Sequence, residues 1–181
     1  MNDLEKRIRR LEDREEIRNL VARYAFAVDN RDICAITSLL ADEVSFRSKD
    51  GVMNAVGRDA VMSQFETRFA ALGHGAHYSH DHVVWFDDAS DDRACGLVSS
   101  HAELIRNGRP MITSLRYEDV YARERGRWVF ADRLLSFFYY LNTDEYLKHF
   151  NQLQRMRANE QPQNADFPEL LSIWREYHSK A

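Results

Sequence analysis

Residues 94–123 read ACGLVSSHAELIRNGRPMITSLRYEDVYAR, two long runs rich in Val, Ile, Leu and Tyr on either side of Asn107-Gly108. Asn-Gly between such runs is the strongest short-range hairpin signal, because a two-residue turn needs positive φ at both positions. The pattern continues outward. Tyr78–Phe86 precedes it across the acidic turn Asp87–Asp92, and Trp128–Tyr140 follows it across Arg125-Gly126. Aromatic and β-branched residues favour strands, so residues 78–140 are expected to form a four-stranded antiparallel meander.

Upstream the period changes. Leu4, Ile8, Leu11, Ile17, Leu20, Val21, Tyr24 and Val28 recur at three- and four-residue steps with charges between them, which reads as one amphipathic helix over residues 3–29. Asp29-Asn30-Arg31-Asp32 interrupts it. Ile33–Leu40 reads as a second helix, and Val44–Arg47 with Gly51–Val56 as a hairpin of short strands. A third helix is expected over Asp59–Ala71, begun near Gly57 and stopped at Gly73. Three helices beside a curved antiparallel sheet make an α+β cone with the helices closing one face. The cone is expected over residues 1–142 and a C-terminal helical extension over 143–181, with helices at Tyr146–Arg157 and Pro168–His178 joined by the linker Glu160–Ala165.

The chain has 181 residues, a length that suits one domain with a sizeable core. Its 44% hydrophobic and 30% charged fractions are those of a soluble globular protein. A net charge of −4 gives no basis for a nucleic-acid or anionic-membrane partner. No apolar run approaches membrane-spanning length, and residues 1–10 are polar and charged, so a cytoplasmic location is expected. Cys34 and Cys95 are too few for a disulfide framework and are expected as buried free thiols. The Val-, Trp- and Tyr-rich sheet face needs covering, which points to a homo-oligomer, a dimer or trimer.

Residues 74–86, HGAHYSHDHVVWF, hold four of the seven histidines. Strict strand alternation puts His80 and His82 on one face, toward solvent or a subunit interface, and His77 with Asp81 on the other. Without a break in that alternation, three ligands do not converge, and no CxxC or HExxH spacing is present. Neither a metal nor a cofactor is expected. A histidine acting as a base needs a carboxylate to fix its tautomer. For His77 the candidate is Asp29, at a helix end where the macrodipole disfavours an acid. By pattern alone Asp29 is equally well a turn former before Asn30. His101, mid-strand, is either a second acid–base group or a hydrogen-bonded strand residue. Arg133 interrupts the apolar run VFADRLLSFFYY and, if buried, must meet a carboxylate or a substrate anion. Phe137, Phe138, Tyr139 and Tyr140 suit core packing and an aromatic ligand alike.

Taken together, four pieces resemble the SnoaL-like branch of the nuclear transport factor 2-like superfamily. They are EEIRNLVARYAFAVDNRD in the first helix, Gly57-Arg58-Asp59-Ala60, His77 with Asp81-His82-Val83, and YEDVYARERGRWVFADR over Tyr117–Arg133. The resemblance covers about residues 5–140 and implies the cone fold. It also implies the chemistry of the lyases of that branch, among them scytalone dehydratases, bile-acid 7α-dehydratases and hexachlorocyclohexane dehydrochlorinases. These use a His–Asp pair without metal or cofactor. Carried over, the dehydrochlorinase histidine, aspartate and pocket arginine fall on His77, Asp29 and Arg133. Tyr24 matches the helix tyrosine of the bile-acid dehydratase, and His101 falls near a second scytalone dehydratase histidine. Two departures stand out: the dehydrochlorinase has lysine at the position of Tyr24, and Asp81 replaces a residue commonly Asn. The expected function is a cofactor-independent lyase acting on a small aromatic or polycyclic substrate. In it Arg133 holds Asp29 or balances transition-state charge, while Tyr24 and His101 bond the leaving hydroxyl. An isomerase or cyclase using the same pair, or a non-catalytic binding subunit, are the alternatives.

Overall fold

Asn2 opens the first helix with a reciprocal capping box: its side chain accepts from the Glu5 amide, and the Glu5 carboxylate accepts from the Asn2 amide, both at 2.9 Å. The computed structural model describes residues 2–87, 89–159 and 161–180. From Asn2 the chain runs through α1 (Asp3–Asp29), α2 (Ile33–Ser38), β1 (Leu40–Ser48), β2 (Asn54–Val56) and α3 (Arg58–Ala71). The long strands follow: β3 (Leu72–Phe86), β4 (Arg93–Arg106), β5 (Arg109–Glu124) and β6 (Arg127–Asn142). A 3-10 turn (Thr143–Glu145), α4 (Tyr146–His149) and α5 (Ser172–His178) complete it.

The six strands form one sheet in the order β2-β1-β6-β5-β4-β3. All pairs are antiparallel except β1 with β6. Both tight turns take the conformation that their residues favour. Asn107 and Gly108 sit at φ 49 and 76, Arg125 and Gly126 at 51 and 76, the double positive φ of a hairpin turn. Alternation then divides each strand. Ala94, Val98, Ser100 and Ala102 of β4 and Leu115, Tyr117, Asp119 and Tyr121 of β5 are buried on the inner face. Ile17, Leu20, Val21, Tyr24 and Val28 of α1 and Val61 and Phe65 of α3 close over them. Each such side chain, fully buried, stabilises the fold by roughly 1.5–3 kcal/mol. The result is an α+β cone.

Several boundaries differ from the sequence reading for physical reasons. Leu4, Ile8 and Leu11 keep the helical period but stay exposed. α2 ends at Ser38, and β1 begins at Leu40. β3 begins at Leu72, six residues before the expected start, so Gly73 lies in the strand instead of stopping a helix. Gly75 permits this: a Cβ there would lie 2.7 Å from the Leu104 Cβ. Both cysteines are exposed, not buried. Of the Asp87–Asp92 turn and the Glu160–Ala165 linker, Asp88 and Glu160 lie outside the described residues. Among the described residues no helix is long and apolar enough to cross a membrane.

The tail departs most. The expected helix Tyr146–Arg157 stops at His149, because the chain is needed as an extended partner for the end of β6. Tyr140 donates its amide to the Arg155 carbonyl (3.0 Å) and accepts from the Arg157 amide (2.8 Å), while Asp166 N–H donates to the Phe137 carbonyl (2.9 Å). Arg155, 1% exposed, knots this segment together. It donates to the carbonyls of Phe138 (2.6 Å), Gln152 (2.9 Å) and Phe167 (2.9 Å), and to both Glu169 oxygens at 2.7 Å. Replacing it strands these acceptors. Arg155→Met should therefore cost about 1–3 kcal/mol, read as a lower melting temperature together with faster tryptic cleavage confined to residues beyond 142.

Candidate active site

Asp29 is the last residue of α1, and the chain reverses immediately after it through Arg31 in the left-handed region, φ 57. The Arg31 guanidinium donates to the Leu72 carbonyl (2.9 Å) and the Gly73 carbonyl (2.6 Å) and lies 4.1 Å over the Phe69 ring. The end of α1 is thereby tied to the start of β3, the free edge of the sheet. Five residues along β3, His77 meets Asp29. Its backbone N–H donates to Asp29 Oδ2 at 2.9 Å, and its ring Nδ1 lies 2.6 Å from Oδ1. The two side chains are 22% and 18% exposed, respectively. A carboxylate can only accept, so Nδ1 carries the proton, and in the neutral ring Nε2 keeps a lone pair. Among the described residues nothing hydrogen-bonds that lone pair.

Arg133 is elsewhere. It is fully buried on the inner face of β6 and pairs with Asp119, not Asp29: Nε to Oδ1 at 2.8 Å and Nη2 to Oδ2 at 2.7 Å. The rings of Tyr24, Tyr117 and Phe130 surround its guanidinium at 4.3, 4.1 and 4.0 Å, each close enough for a cation–π contact. Nη1 has no hydrogen-bond partner. Burial opposes the charge on Arg133, and the Asp119 carboxylate overrides it, leaving the guanidinium more firmly protonated than usual. Burial pushes the Tyr24 and Tyr117 hydroxyls up, so both stay protonated as donors.

Asp119 is the residue that sequence reasoning missed. Counting back from the Arg125-Gly126 turn puts Glu118 opposite Arg133 and Asp119 opposite Asp132. A register shift between Val120 and Tyr121 moves the pairing by one, so Asp119 faces Arg133.

A second bulge corrects the reading of the histidines. Ser79 pairs with Ser100, but His82 pairs with Val98, so β3 carries one extra residue between them. The Asp81 amide donates to Ser99 Oγ at 3.0 Å at this kink. The bulge returns His82 to the inner face beside His77, against the strict alternation that had separated them. His82 Nε2 lies 3.1 Å from the Tyr121 hydroxyl, which itself donates to Asp119 Oδ2 at 2.8 Å. Tyr121 has one proton to give, so His82 donates from Nε2. The inner face thus carries a chain of bonds His82–Tyr121–Asp119–Arg133.

His101 is not brought to the His77–Asp29 pair. It lies on the outer face, where its Nδ1 is 2.6 Å from His80 Nε2 and its ring is 4.7 Å from that of Tyr78. Its neighbours in β4, Ser100 and Ala102, take the inward positions. Tyr24 remains in the cone interior. Among the described residues no group of three or more His, Cys, Asp or Glu is placed to hold a metal ion.

The cone opens where α3, β4 and the tail meet. A slit of about 10 Å³, bordered by Arg68, Arg106, Phe137, Tyr140 and Met156, is the inward end of this mouth. A groove of about 360 Å³ outside it shares Val52, Arg68 and Arg106 with the slit.

Two effects of this polar interior are measurable. Asp119→Asn leaves Arg133 buried without its counter-charge and should cost about 3–5 kcal/mol, measured by urea denaturation. Burial lowers the His82 pKa from 6.5 to about 4. The folded chain thus resists a proton that the unfolded chain accepts, so the associated stability is complete above pH 6.5 and drains away as the pH falls toward 4. His82→Gln should flatten the decline in melting temperature across that window relative to the parent.

A family profile described as a SnoaL-like domain matches residues 9–133. Solved structures share the fold. A proposed scytalone dehydratase from Novosphingobium aromaticivorans is 18% identical, with a TM-score of 0.66 over 74% of this chain and 89% of that one. A proposed aromatic ring hydroxylase from the same organism is 26% identical, with a TM-score of 0.67 over 74% and 94%. A hexachlorocyclohexane dehydrochlorinase from Novosphingobium barchaimii is 18% identical, with a TM-score of 0.67 over 75% and 92%. Among curated proteins none matches.

Proposed function

The chain belongs to the SnoaL-like domain family, and on that premise we propose that it is a cofactor-independent lyase of small molecules whose base is His77. The observation that carries this reading is the double acceptance by Asp29 of the His77 backbone N–H and ring N–H. It fixes the ring, selects the tautomer and leaves Nε2 free. Nε2 then removes a proton from a carbon or hydroxyl of the bound molecule, and Asp29 stabilises the imidazolium that forms. The Tyr24 hydroxyl, held protonated, hydrogen-bonds the leaving hydroxyl or a developing oxyanion. Arg133 acts through Tyr24 as a positioning residue, since its charge is already matched by Asp119. His101 has no part in the step. The imidazolium returns that proton, to the departing hydroxyl so that water leaves and an alkene forms, or, after carbon–carbon cleavage, to the carbanion as the carbonyl fragment is released.

Tyr24 packs against Phe65, Tyr117 and Phe130 in the core, and these rings would have to part to admit the flat aromatic or polycyclic body that this reading assigns. The names of two structural neighbours, a dehydratase and a dehydrochlorinase, denote eliminations and support the same class. Pairing of copies through the outer sheet face, where Tyr78, Val83 and Trp85 stay exposed, is part of this reading.

The test joins spectroscopy to product analysis. The parent should show a downfield imidazole N–H resonance from His77 Nδ1 that Asp29→Asn abolishes. On hydroxylated aromatic ketones, mass spectrometry should show loss of water, with the rate falling roughly 10²–10⁴-fold in His77→Ala. Unchanged mass in the product would make the enzyme an isomerase. Parent-like turnover in His77→Ala would sink the proposal.

A further inference from the structure

Arginines surround the mouth of the cone. Arg68 and Arg106 border both the inner slit and the groove outside it. Beyond Arg106 a further groove of about 580 Å³ adds Arg109 and Arg157. The rest of its lining is Asn107, Asn142, Asn159, Gln161 and Gln163 with Met111 and Ala158, so no carboxylate of the described residues lines it. Five amides and three guanidiniums make a surface of hydrogen-bond donors with positive charge and little to balance it.

The existing partners leave that capacity open. Arg106 donates once, from Nη2 to Asn159 Oδ1 at 3.0 Å, and its buried Nε has no partner. The Arg68 side chain makes no hydrogen bond or ion pair among the described residues. Two acids stand nearby. Asp50, at the slit, is occupied by the Ser48 hydroxyl and the Val52 amide. Glu145 accepts from Asn142, and its pKa is lowered by that bond and by the charges of Arg157, His149 and Arg109.

Arg106 pairs with Leu72 at the start of β3, and His77 lies five residues further, roughly 16 Å along the strand. The other sides of the slit include Val52, Met53, Phe137, Tyr140 and Met156, so an apolar body held at the rim faces apolar side chains.

From this juxtaposition we infer that the molecule handled by the cone is an amphipathic organic anion, its carboxylate or phosphate docked on Arg68 and Arg106 while its apolar body points inward. The inference rests on the lyase reading for what happens at the inner end, but the docking site stands on the rim alone. Bidentate guanidinium bonds to an oxyanion are charge-assisted and geometrically selective.

Binding of three probes tests it by calorimetry: 6-phenylhexanoate, 6-phenylhexyl phosphate and the neutral 6-phenylhexanamide. The parent should bind the better anion at least about tenfold more tightly than the amide, a difference of about 1.4 kcal/mol. The tighter of the two anions identifies the oxyanion. In Arg68→Met/Arg106→Met the anion preference should vanish while amide binding is unchanged, and Arg7→Met, a remote exposed control, should keep it. His77→Ala should also keep the preference, so failure of the base assignment leaves this result intact. Equal affinities in the parent, a preference that survives the double variant, or no binding of any probe would overturn the inference.

Discussion

Two opposite charges with no access to water sit at the centre of this cone. Asp119 and Arg133 face each other across β5 and β6, and both side chains are completely buried. Such a pair is tolerable only when nearly every donor and acceptor is matched. The matching draws in the rest of the molecule. Tyr24 from α1, Tyr117 from β5 and Phe130 from β6 shield the guanidinium, and Tyr121 bonds Asp119 and connects it to His82 on β3. Helix and sheet meet at this pair through the Tyr24 ring over the buried guanidinium. The aromatic core then fills around it.

The His77–Asp29 pair has a different physical character. It sits at the edge of the sheet, partly open, and its atoms are held by the helix end on one side and a free strand edge on the other. In the central pair the Asp119 carboxylate holds the guanidinium of Arg133 firmly protonated. The edge pair retains an unused ring nitrogen. One assembly supplies rigidity, and the other is able to exchange a proton. Their separation lets the fold bury charge without neutralising the group suited to chemistry.

Much of this was legible in the sequence wherever a local rule governed. The two turns carry the residues that positive φ favours, so the meander was readable, and the three- and four-residue steps marked the buried stripe of α1 from Ile17 to Val28. The likeness to a known family brought Asp29 and His77 together on paper, which spacing alone left undecided between a turn former and a partner. What escaped were single-residue register shifts. A bulge after Ser79 carries His82 inward, and another after Val120 gives Arg133 to Asp119. Both depend on how the sheet curves to close a cone, a property of six strands together that no strand announces. His101 was misplaced because a resemblance in position along the chain says nothing about which face of a strand a residue occupies. The tail escaped because Arg155 overrides its helical period with five bonds that only the folded neighbours provide.

The tail also has a bearing on solubility. β6 runs beyond β1, and at Phe137 and Tyr140 its backbone is bonded by Arg155, Arg157 and Asp166 instead of another strand. Without that cover the chain would display FFYY as an open, apolar, uncharged strand edge, the sort of surface that templates cross-β association. The C-terminal segment covers that edge with its own backbone. A nascent or clipped molecule that has folded its cone but not yet seated Arg155 would be the form most prone to aggregate, however sound the cone itself.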